Sequence, residues 1–275
     1  MILITGATGF VGKHLLYKLD KYKEFDIITL GRNRKNDIVA DLTDIDSLKI
    51  LKNYDIDILI HLASAIPGKK SEKENKNDYF NTNVIGTYNL LDSLNRKHLK
   101  KIILLSSVSI YECSDYGKSK YIQELLTRTF CNCNYDYNNT DPTKYLIFRP
   151  SSIYGKGMHN TVLKIFYDKS KRDEDIEITV EGYRQNFVYV KDVAKIIKMG
   201  LEIGNSGIYD LFSNDTVDLI RLAEIIIEIN NSRSKIVENY AKVHEKVYDN
   251  TIYDRINNDK FVFKFASLYE GLKNL

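Results

Sequence analysis

The sequence predicts an α/β fold, in which a doubly wound parallel sheet carries a smaller C-terminal α+β lobe. Three observations support this prediction. Short apolar runs alternate with longer stretches of helical periodicity through the first two-thirds of the chain. The run at 56–62 is rich in Ile and Leu, as in a strand that is covered on both faces. After Pro150 the alternation is lost and the predicted segments become shorter.

The predicted elements of the first 150 residues alternate in order along the chain. Strands are predicted at 1–5, 27–30, 38–40, 56–62, 101–107 and 145–148. Helices are predicted at 10–19, 45–51, 79–94 and 116–130. Arg149-Pro150 is expected to end the last of these strands. Since strands that alternate with helices imply right-handed crossovers, the sheet is predicted to be parallel.

The second part of the chain is predicted to form a smaller lobe over the carboxyl ends of the strands. A strand at 187–190 and a helix at 192–201 are expected to return to the sheet, and further helices are predicted at 161–171 and 219–229. Residues 131–143, rich in Asn, Asp and Tyr, predict a surface loop. The first domain would comprise 1–150 with 187–203, and the lobe 151–186 with 204–275.

Composition excludes several classes of partner. The net charge of +3 comes without a dense Lys or Arg block, so no nucleic-acid-binding face is expected. No apolar stretch approaches the roughly 20 residues of a membrane span. The cysteines Cys113, Cys131 and Cys133 are odd in number and sparse, which is typical of a reducing compartment and includes no cluster that completes a metal site. We expect a cytoplasmic protein without a metal.

A glycine-rich turn follows the first predicted strand and opens the first predicted helix. Gly6 allows a tight turn, Gly9 lets the backbone approach a phosphate, and Gly12 lets the helix pack closely on the strand. The helix N-terminus offers free N–H groups and a positive dipole to that phosphate. The turn therefore predicts a site for the pyrophosphate of a nicotinamide dinucleotide. Its residues are Gly6, Thr8, Gly9, Phe10, Val11 and Gly12.

The end of the second predicted strand indicates which dinucleotide binds. An acidic residue there would bind the ribose hydroxyls of NAD, but the chain has Leu30-Gly31-Arg32-Asn33-Arg34. Gly31 leaves room for a 2′-phosphate, and Arg32, together with Arg34, can meet it with a charge-assisted hydrogen bond. The sequence favours NADP, with NAD as the alternative. The non-functional alternative is that these arginines are solvent-exposed loop residues without a ligand.

A Tyr-x-x-x-Lys pair is the predicted catalytic feature. The pattern occurs four times, at Tyr17/Lys21, Tyr116/Lys120, Tyr167/Lys171 and Tyr269/Lys273. Helical spacing places the two residues of every such pair on one face, so only their position in the fold can decide. Tyr116/Lys120 alone opens a helix directly after the strand that ends in Ser106-Ser107. The other three pairs are expected at helix surfaces.

Ser107, Tyr116 and Lys120 suit hydride-transfer chemistry. A phenol with a pKa near 10 exchanges protons poorly at pH 7. The neighbouring Lys120 ammonium and a cationic nicotinamide are expected to lower the pKa of Tyr116 into the working range. Ser107 would hydrogen-bond the substrate oxygen that alternates between carbonyl and alcohol.

The chain resembles the extended short-chain dehydrogenase/reductase family, of the epimerase/dehydratase type that acts on nucleotide sugars. Several motifs in a fixed order carry this resemblance. They are Gly6 to Gly12, Asp41-Leu42, His61-Leu62-Ala63, Asn83-Val84-Ile85-Gly86-Thr87, Ser106-Ser107, Tyr116-Gly117-Lys118-Ser119-Lys120, Arg149-Pro150-Ser151-Ser152-Ile153-Tyr154-Gly155 and Phe187-Val188-Tyr189-Val190-Lys191-Asp192-Val193-Ala194.

The resemblance implies roles for further residues. Asp41, beside Leu42, would hold the adenine end of the cofactor, and Ala63, beside Leu62, would line it. Asn83 would support the helix and the cleft, and Lys120 would also bind the nicotinamide ribose. The two long helices at 79–94 and 116–130 would pair across a two-fold axis, which implies a homodimer.

The chain departs from the family pattern at three places. Ser107 and Tyr116 are separated by a shorter connection than usual, so the loop that frames the sugar is missing. Ser152 stands where these enzymes often carry an asparagine that touches the substrate phosphates. The usual Arg-Asp pair before the late strand is Gln185-Asn186 here, and Arg184 is the candidate replacement as a phosphate ligand.

The choice among reactions follows from what the site contains. Dehydration normally needs an Asp-Glu pair after the catalytic hydroxyl, where this chain has Val108-Ser109. An epimerase typically holds NAD tightly, whereas a ketoreductase uses exchangeable NADPH. The basic end of the second strand therefore favours reduction of a 4-keto sugar nucleotide. A nucleotide-sugar 4-epimerase is the alternative, and a catalytically silent NADP-binding regulator is the alternative of another class.

Overall fold

The computed structural model describes residues 1–20, 25–67, 77–132, 142–159, 161–240 and 263–275. The strands in chain order are β1 (Ile2–Thr5), β2 (Ile27–Gly31), β3 (Ile38–Val39), β4 (Ile58–His61), β5 (Lys101–Leu105), β6 (Lys144–Pro150), β7 (Ser152–Tyr154), β8 (Ile176–Ile178), β9 (Arg184–Tyr189), β10 (Gly207–Leu211), β11 (Thr216–Asp218) and β12 (Ile236–Glu238). The helices are α1 (Phe10–Asp20), α2 (Ile45–Leu48), α3 (Gly86–Ser93), α4 (Asp115–Asn132), α5 (Val162–Lys171), α6 (Val190–Gly200), α7 (Leu219–Asn230) and α8 (Leu268–Leu272).

A seven-stranded, mostly parallel sheet forms the larger of two compact units, residues 1–150 and 193–210. Its strand order is β10-β6-β5-β4-β1-β2-β3, the order of a doubly wound dinucleotide-binding fold. Strand β1 pairs in parallel with β2 on one side and with β4 on the other. Its residues are buried throughout, as expected of a central strand that is covered on both faces. The predicted fold class is confirmed.

The smaller unit comprises residues 151–192 and 211–275. It contains a three-stranded sheet of order β11-β9-β7 and a parallel pair of β12 with β8. The prediction that residues 187–190 return to the large sheet is wrong. They fall at the end of β9 and at the start of α6, and β9 pairs in parallel with β7 and antiparallel with β11. The strand that returns to the large sheet is β10, which no strong pattern marks in the sequence.

The buried Asn186 explains why β9 stays in the smaller sheet. Its Oδ1 accepts hydrogen bonds from the Ser151 hydroxyl and the Ser213 backbone N–H, at 2.7 and 3.2 Å. Its Nδ2 donates to the Ser213 carbonyl at 3.0 Å and to the Thr216 hydroxyl at 3.0 Å. One buried amide therefore joins β9 to the segments before β7 and β11, since a buried polar group needs its partners.

The boundaries of three elements in the larger unit differ from the prediction. Strand β6 continues through Arg149-Pro150 instead of ending before them. The predicted helix at 45–51 is one α-turn followed by a 3₁₀ segment, Lys49–Asn53. The predicted helix at 79–94 begins with a π-helical stretch, Phe80–Ile85, before it becomes α3. Such π-turns are rare and often occur at functional sites.

Two further sequence predictions are only partly covered. Residues 133–141 of the predicted surface loop lie outside the described residues, and Cys131 and Asn132 belong to α4. Lys21, of the Tyr17 pair, also lies outside them. Among the helices that the structure describes, none is long and apolar enough to cross a membrane.

Candidate active site

The glycine turn lies between β1 and α1, against the end of β4. Gly6 has a φ of +72°, and a Cβ there would lie 2.7 Å from the backbone nitrogen of Ala63. A Cβ at Gly12 would lie 2.3 Å from the Gly6 carbonyl oxygen, so α1 can rest on the turn only with glycine there. Gly9 is exposed at the tip. The turn thus has the tight bend and close packing that the sequence predicts.

Helix α1 begins at Phe10, and Val11 is its second residue. The first N–H groups of a helix have no partner within the helix, and they point toward the space beyond the turn. Thr8 and Phe10 are half-buried there. The Phe10 ring packs edge-on against His14, with 5.7 Å between the ring centroids. These residues form a site whose chemistry suits a phosphate.

At the end of β2, Arg32 and Arg34 are exposed. The space beside Gly31 is partly filled, because a Cβ at Gly31 would lie 3.0 Å from Asn36 Nδ2. Glycine at this position therefore lets the Asn36 side chain pack closely, and room for a 2′-phosphate stays a prediction. Asn36 is buried, and its Nδ2 donates to the Asn33 carbonyl at 2.7 Å.

Asn36 is a candidate cofactor residue that sequence reasoning missed. Its Oδ1 is buried and has no hydrogen-bond partner among the described residues. Such an atom is costly unless a ligand or water satisfies it. An amide oxygen is chemically suited to a ribose hydroxyl, and this one becomes available only when the Asn36 side chain moves, because the atom is closed to solvent. The one sequence signal was an asparagine five residues after Gly31.

Asp41 and Leu42 follow β3. Asp41 Oδ1 accepts from the backbone N–H and the hydroxyl of Thr43, each at 2.9 Å. The Leu42 carbonyl accepts from Asn89 Nδ2 at 3.0 Å. These contacts stabilise the turn after β3, and Asp41 therefore has a structural task besides its predicted place at the adenine end.

Asn83, within the π-helical stretch, organises the segment after β4. Its Oδ1 accepts from the Ala65 N–H at 2.8 Å and from the Ser64 hydroxyl at 3.0 Å. Its Nδ2 donates to the Ala65 carbonyl at 3.1 Å and to the Ser119 hydroxyl of α4 at 3.0 Å. The buried amide thus holds the segment after Leu62-Ala63 against α4, which agrees with the predicted supporting role.

Ser107 and Tyr116 lie together despite the short connection between them. A single 3₁₀ turn, Val108–Tyr111, reverses the chain after β5, and Ser107 caps it by accepting from the Ser109 N–H at 3.1 Å. A Cβ at Gly117 would lie 2.0 Å from the Ser109 carbonyl oxygen. Glycine there lets α4 lie directly on this turn, and Ser107 lies close enough to Tyr116 to lower the pKa of its phenol.

Burial raises the pKa of Tyr116 to about 12, against the smaller opposite effect of Ser107. The expected lowering by a nearby ammonium is therefore wrong for the protein by itself, because Lys120 bonds elsewhere. The Tyr79 ring packs edge-on against that of Tyr116, with 5.6 Å between the centroids. Tyr79 also raises the pKa of Tyr116. The phenol therefore carries its proton at neutral pH.

Lys120 is 1% exposed and faces the interior. Its Nζ donates to the Leu105 carbonyl at 2.8 Å and to Gln123 Oε1 at 2.5 Å. Burial lowers the pKa of Lys120 to about 7, against the opposite effect of Glu124. The amine is therefore poised between its charged and neutral forms at neutral pH.

Two buried polar groups beside Lys120 escaped sequence reasoning. His61 Nδ1 lies 2.6 Å from Thr5 Oγ1, and its Nε2 lies 2.9 Å from Thr87 Oγ1. Burial and then the charge of Lys120 lower the pKa of His61 to about 3, so the ring is neutral. Glu124 accepts two hydrogen bonds from Arg149, at 2.9 and 2.6 Å, and this pair joins α4 to β6.

The predicted substrate residues lie in the smaller unit. Ser152 opens β7, and its hydroxyl accepts from Gln185 Nε2. Both residues line a cavity of about 140 Å³ together with apolar side chains such as Leu163 and Phe187. Arg184 is exposed at the start of β9, opposite Asp218 of β11. In the described part of the chain, no cluster of three or more His, Cys, Asp or Glu could hold a metal.

The other Tyr-x-x-x-Lys pairs have different surroundings. Tyr17 is 78% exposed. The exposed Lys171 and Lys273 lie over the rings of Tyr167 and Tyr269, at 5.3 and 4.4 Å from the ring centroids. Among the pairs of which both residues are described, Tyr116/Lys120 alone combines a half-buried tyrosine, a buried lysine and a neighbouring serine.

Comparison with known proteins agrees with this geometry. The model of the NAD dependent epimerase/dehydratase family matches residues 2–211. Over 257 residues the chain is 31% identical to a putative UDP-glucose 4-epimerase of Methanocaldococcus jannaschii, covering 80% of this chain and 81% of that protein. It is 21% identical to a dTDP-4-dehydro-6-deoxy-D-allose reductase of a Streptomyces species, covering 83% and 80%.

A solved structure shares the fold over nearly the whole chain. The UDP-glucose 4-epimerase of Thermotoga maritima, determined with UDP-glucose, gives a TM-score of 0.77 at 22% identity and covers 99% of this chain and 96% of that one. These findings confirm the family resemblance and the enzyme class that the sequence predicts.

Substitution of the turn glycines should separate folding from cofactor binding. Gly12→Ala places a Cβ against two carbonyl oxygens and should lower the free energy of unfolding by about 3 kcal/mol. Gly9→Ala meets only the Gly6 carbonyl, at 3.1 Å, so the protein should fold and lose about tenfold in affinity for a nicotinamide dinucleotide, measured with NADPH and with NADH. Urea unfolding and fluorescence titration measure the two effects.

Gly204→Ala is the matched control, because nothing lies within 4 Å of a Cβ there. It should change neither quantity. Wild-type affinity for both dinucleotides in Gly9→Ala would contradict the assignment of the turn to the pyrophosphate.

Proposed function

Because the chain belongs to the NAD dependent epimerase/dehydratase family, we propose that this enzyme reduces a 4-keto sugar nucleotide with NADPH. The observation that carries the proposal is the closeness of Ser107 to Tyr116, which lowers the pKa of the phenol, with the buried Lys120 one turn farther along α4. The names of the relatives, which include a dTDP-sugar reductase, support the substrate class. Ser152, Gln185 and Arg184 are the proposed substrate contacts in the smaller unit.

The proposed step follows from the protonation states of the two hydroxyls. When bound, the nicotinamide supplies the hydride that the carbonyl carbon takes up. Ser107 hydrogen-bonds the carbonyl oxygen and polarises it. Tyr116 donates its phenolic proton to that oxygen as the alcohol forms, and the raised pKa of Tyr116 keeps the proton available at neutral pH. The Lys120 ammonium has two of its three N–H groups bonded to Leu105 and Gln123. Its third N–H would bind the nicotinamide ribose, and its charge would stabilise the phenolate left on Tyr116.

The proposed cofactor is NADP rather than NAD, on the strength of Arg32. Its guanidinium is exposed at the end of β2 and forms no hydrogen bond or ion pair with any described residue, so it can meet a 2′-phosphate. Asp37, the acid nearest to this strand end, is bound to Thr29 instead, whose N–H and hydroxyl donate to its Oδ2 at 2.9 and 2.8 Å.

A nucleotide-sugar 4-epimerase is the second candidate. The relative at 31% identity carries the name of a putative UDP-glucose 4-epimerase, and the buried acceptor of Asn36 would suit the ribose of NAD. Incubation with UDP-glucose in one assay, and with a 4-keto sugar nucleotide and NADPH in another, distinguishes the two. An epimerase forms the 4-epimer without net consumption of added cofactor, whereas a reductase consumes NADPH in proportion to a 4-keto substrate.

We also propose a homodimer formed through α3 and α4. An exposed apolar strip on these helices includes Tyr88, Tyr121 and Leu125, which are 55%, 48% and 38% exposed, and such strips often mark interfaces. Leu125→Arg should therefore give a monomer by light scattering at micromolar concentration, because a buried unpaired charge is costly. Ile50→Arg, at an exposed site elsewhere in the larger unit, is the control. A wild-type monomer would overturn the proposal.

The role of Tyr116 predicts a specific loss of turnover. Tyr116→Phe removes the phenolic proton and should lower kcat about 10²- to 10⁴-fold while cofactor affinity stays within a few-fold. Steady-state kinetics and NADPH fluorescence titration measure the two. Tyr17→Phe, at the 78% exposed tyrosine of another Tyr-x-x-x-Lys pair, should leave both unchanged. Undiminished turnover in Tyr116→Phe would exclude the proposed acid.

The role of Arg32 predicts a change in cofactor choice. Arg32→Gln should weaken NADPH binding about tenfold or more, as expected for loss of a charge-assisted hydrogen bond, and should leave NADH binding unchanged. The ratio of the two dissociation constants is the measurement. Lys35→Gln, at another exposed cation of the same loop, is the control. Equal weakening of both cofactors would contradict the 2′-phosphate contact.

A further inference from the structure

The side chain of Gln123 lies fully buried between Lys120 and His61, and the proposed chemistry does not use it. Its Oε1 accepts from Lys120 Nζ at 2.5 Å. Its Nε2 lies 3.0 Å from His61 Nε2 and 2.8 Å from Thr87 Oγ1. A continuous buried chain of polar groups therefore runs from the Lys120 amine to the end of β4.

The orientation of the Gln123 amide follows from the chemistry of its partners. An ammonium can only donate, so the amide oxygen must face Lys120 and the NH₂ group must face His61 and Thr87. The Thr87 hydroxyl donates its own proton to the Asn83 carbonyl at 2.7 Å. Every polar atom of the amide is thus bonded, which makes a rotation of this side chain expensive.

We propose that Gln123 is a positioning residue of the active site, which fixes the Lys120 amine through its amide oxygen and so sets the pH dependence of cofactor binding. The inference rests on the proposed function, in which the charged Lys120 binds the nicotinamide ribose. Gln123 acts through Lys120 alone, because it lies one helical turn farther from Tyr116 and contacts the interior. A neutral acceptor at this place holds the amine without adding a charge.

The groups around Lys120 leave its protonation sensitive to any charge at position 123. His61, from β4, is neutral, and Tyr116, one turn before on α4, carries its proton. Glu124 is the carboxylate that acts on Lys120, and it is already bound by Arg149 and by the Ser106 hydroxyl. The Lys120 amine also donates to the neutral Leu105 carbonyl, so no carboxylate of the described residues is bonded to it directly. A negative charge placed beside the amine should therefore raise its pKa strongly.

Two substitutions at this position should act in opposite directions. Gln123→Glu puts a carboxylate beside Lys120, stabilises the ammonium and should raise the pH midpoint of NADPH binding by roughly 1–3 units. Gln123→Leu removes the acceptor and should lower that midpoint, because the charged amine loses a partner. Affinity is lost above the midpoint, where Lys120 is neutral. Fluorescence titration of NADPH at a series of pH values is the measurement.

A second readout does not require the cofactor. NMR of protein labelled at the lysine side chains follows the titration of Lys120 directly, with its signal assigned by Lys120→Arg. The Lys120 midpoint should move upward in Gln123→Glu and downward in Gln123→Leu. Thr127→Val is the control, since the buried Thr127 hydroxyl bonds only the backbone carbonyl of Gln123, at 2.9 Å. It should lower the Tm without moving either midpoint.

The outcomes separate the two proposals. Opposite shifts of the Lys120 midpoint in the two variants support the positioning role. Shifts in one direction, or lowered stability without any shift, would make Gln123 a purely structural residue. Absence of NADPH and NADH binding in the wild-type protein would overturn the proposed function, while the NMR titration would still decide the role of Gln123.

Discussion

The close approach of the first turn to the end of β4 is the constraint on which the candidate site depends. The backbone at Gly6 passes so near to Ala63 that no side chain fits between them. This contact brings the N-terminus of α1 beside the segment after β4, which Asn83 then holds against α4. The cofactor turn and the Tyr116 helix are therefore placed by one tight packing contact and one buried amide.

Beneath the site, buried polar side chains occupy positions where apolar side chains are usual. His61, Gln123 and Lys120 are all buried and all bonded. Burial of such groups contributes little net stability, yet an unpaired member would be costly. These hydrogen bonds fix the orientation of the three side chains, because a rotation of any one of them would leave a buried donor or acceptor without its partner.

Much of the larger unit could be predicted from the sequence, because the periodicity of apolar residues and the spacing of glycines are local signals. The glycine turn and the pairing of Ser107 with Tyr116 belong to this group. The raised pKa of Tyr116 could not be predicted, since it depends on how deeply the phenol is buried and on where the Lys120 amine points. The assignment of β9 to the smaller sheet could not be predicted either, because it depends on hydrogen bonds of the buried Asn186 with residues distant in the sequence.

The π-helical stretch at Phe80–Ile85 has a consequence for how this chain tolerates change in length. A π-turn holds one more residue than an α-turn over the same rise. Deletion of one residue there would restore regular α-helical winding without turning the flanking helical segments relative to each other. The winding around Asn83 would change, and with it the direction of the amide that supports the segment after β4. The extra residue therefore matters for the placement of Asn83 and not for the direction of the helix as a whole.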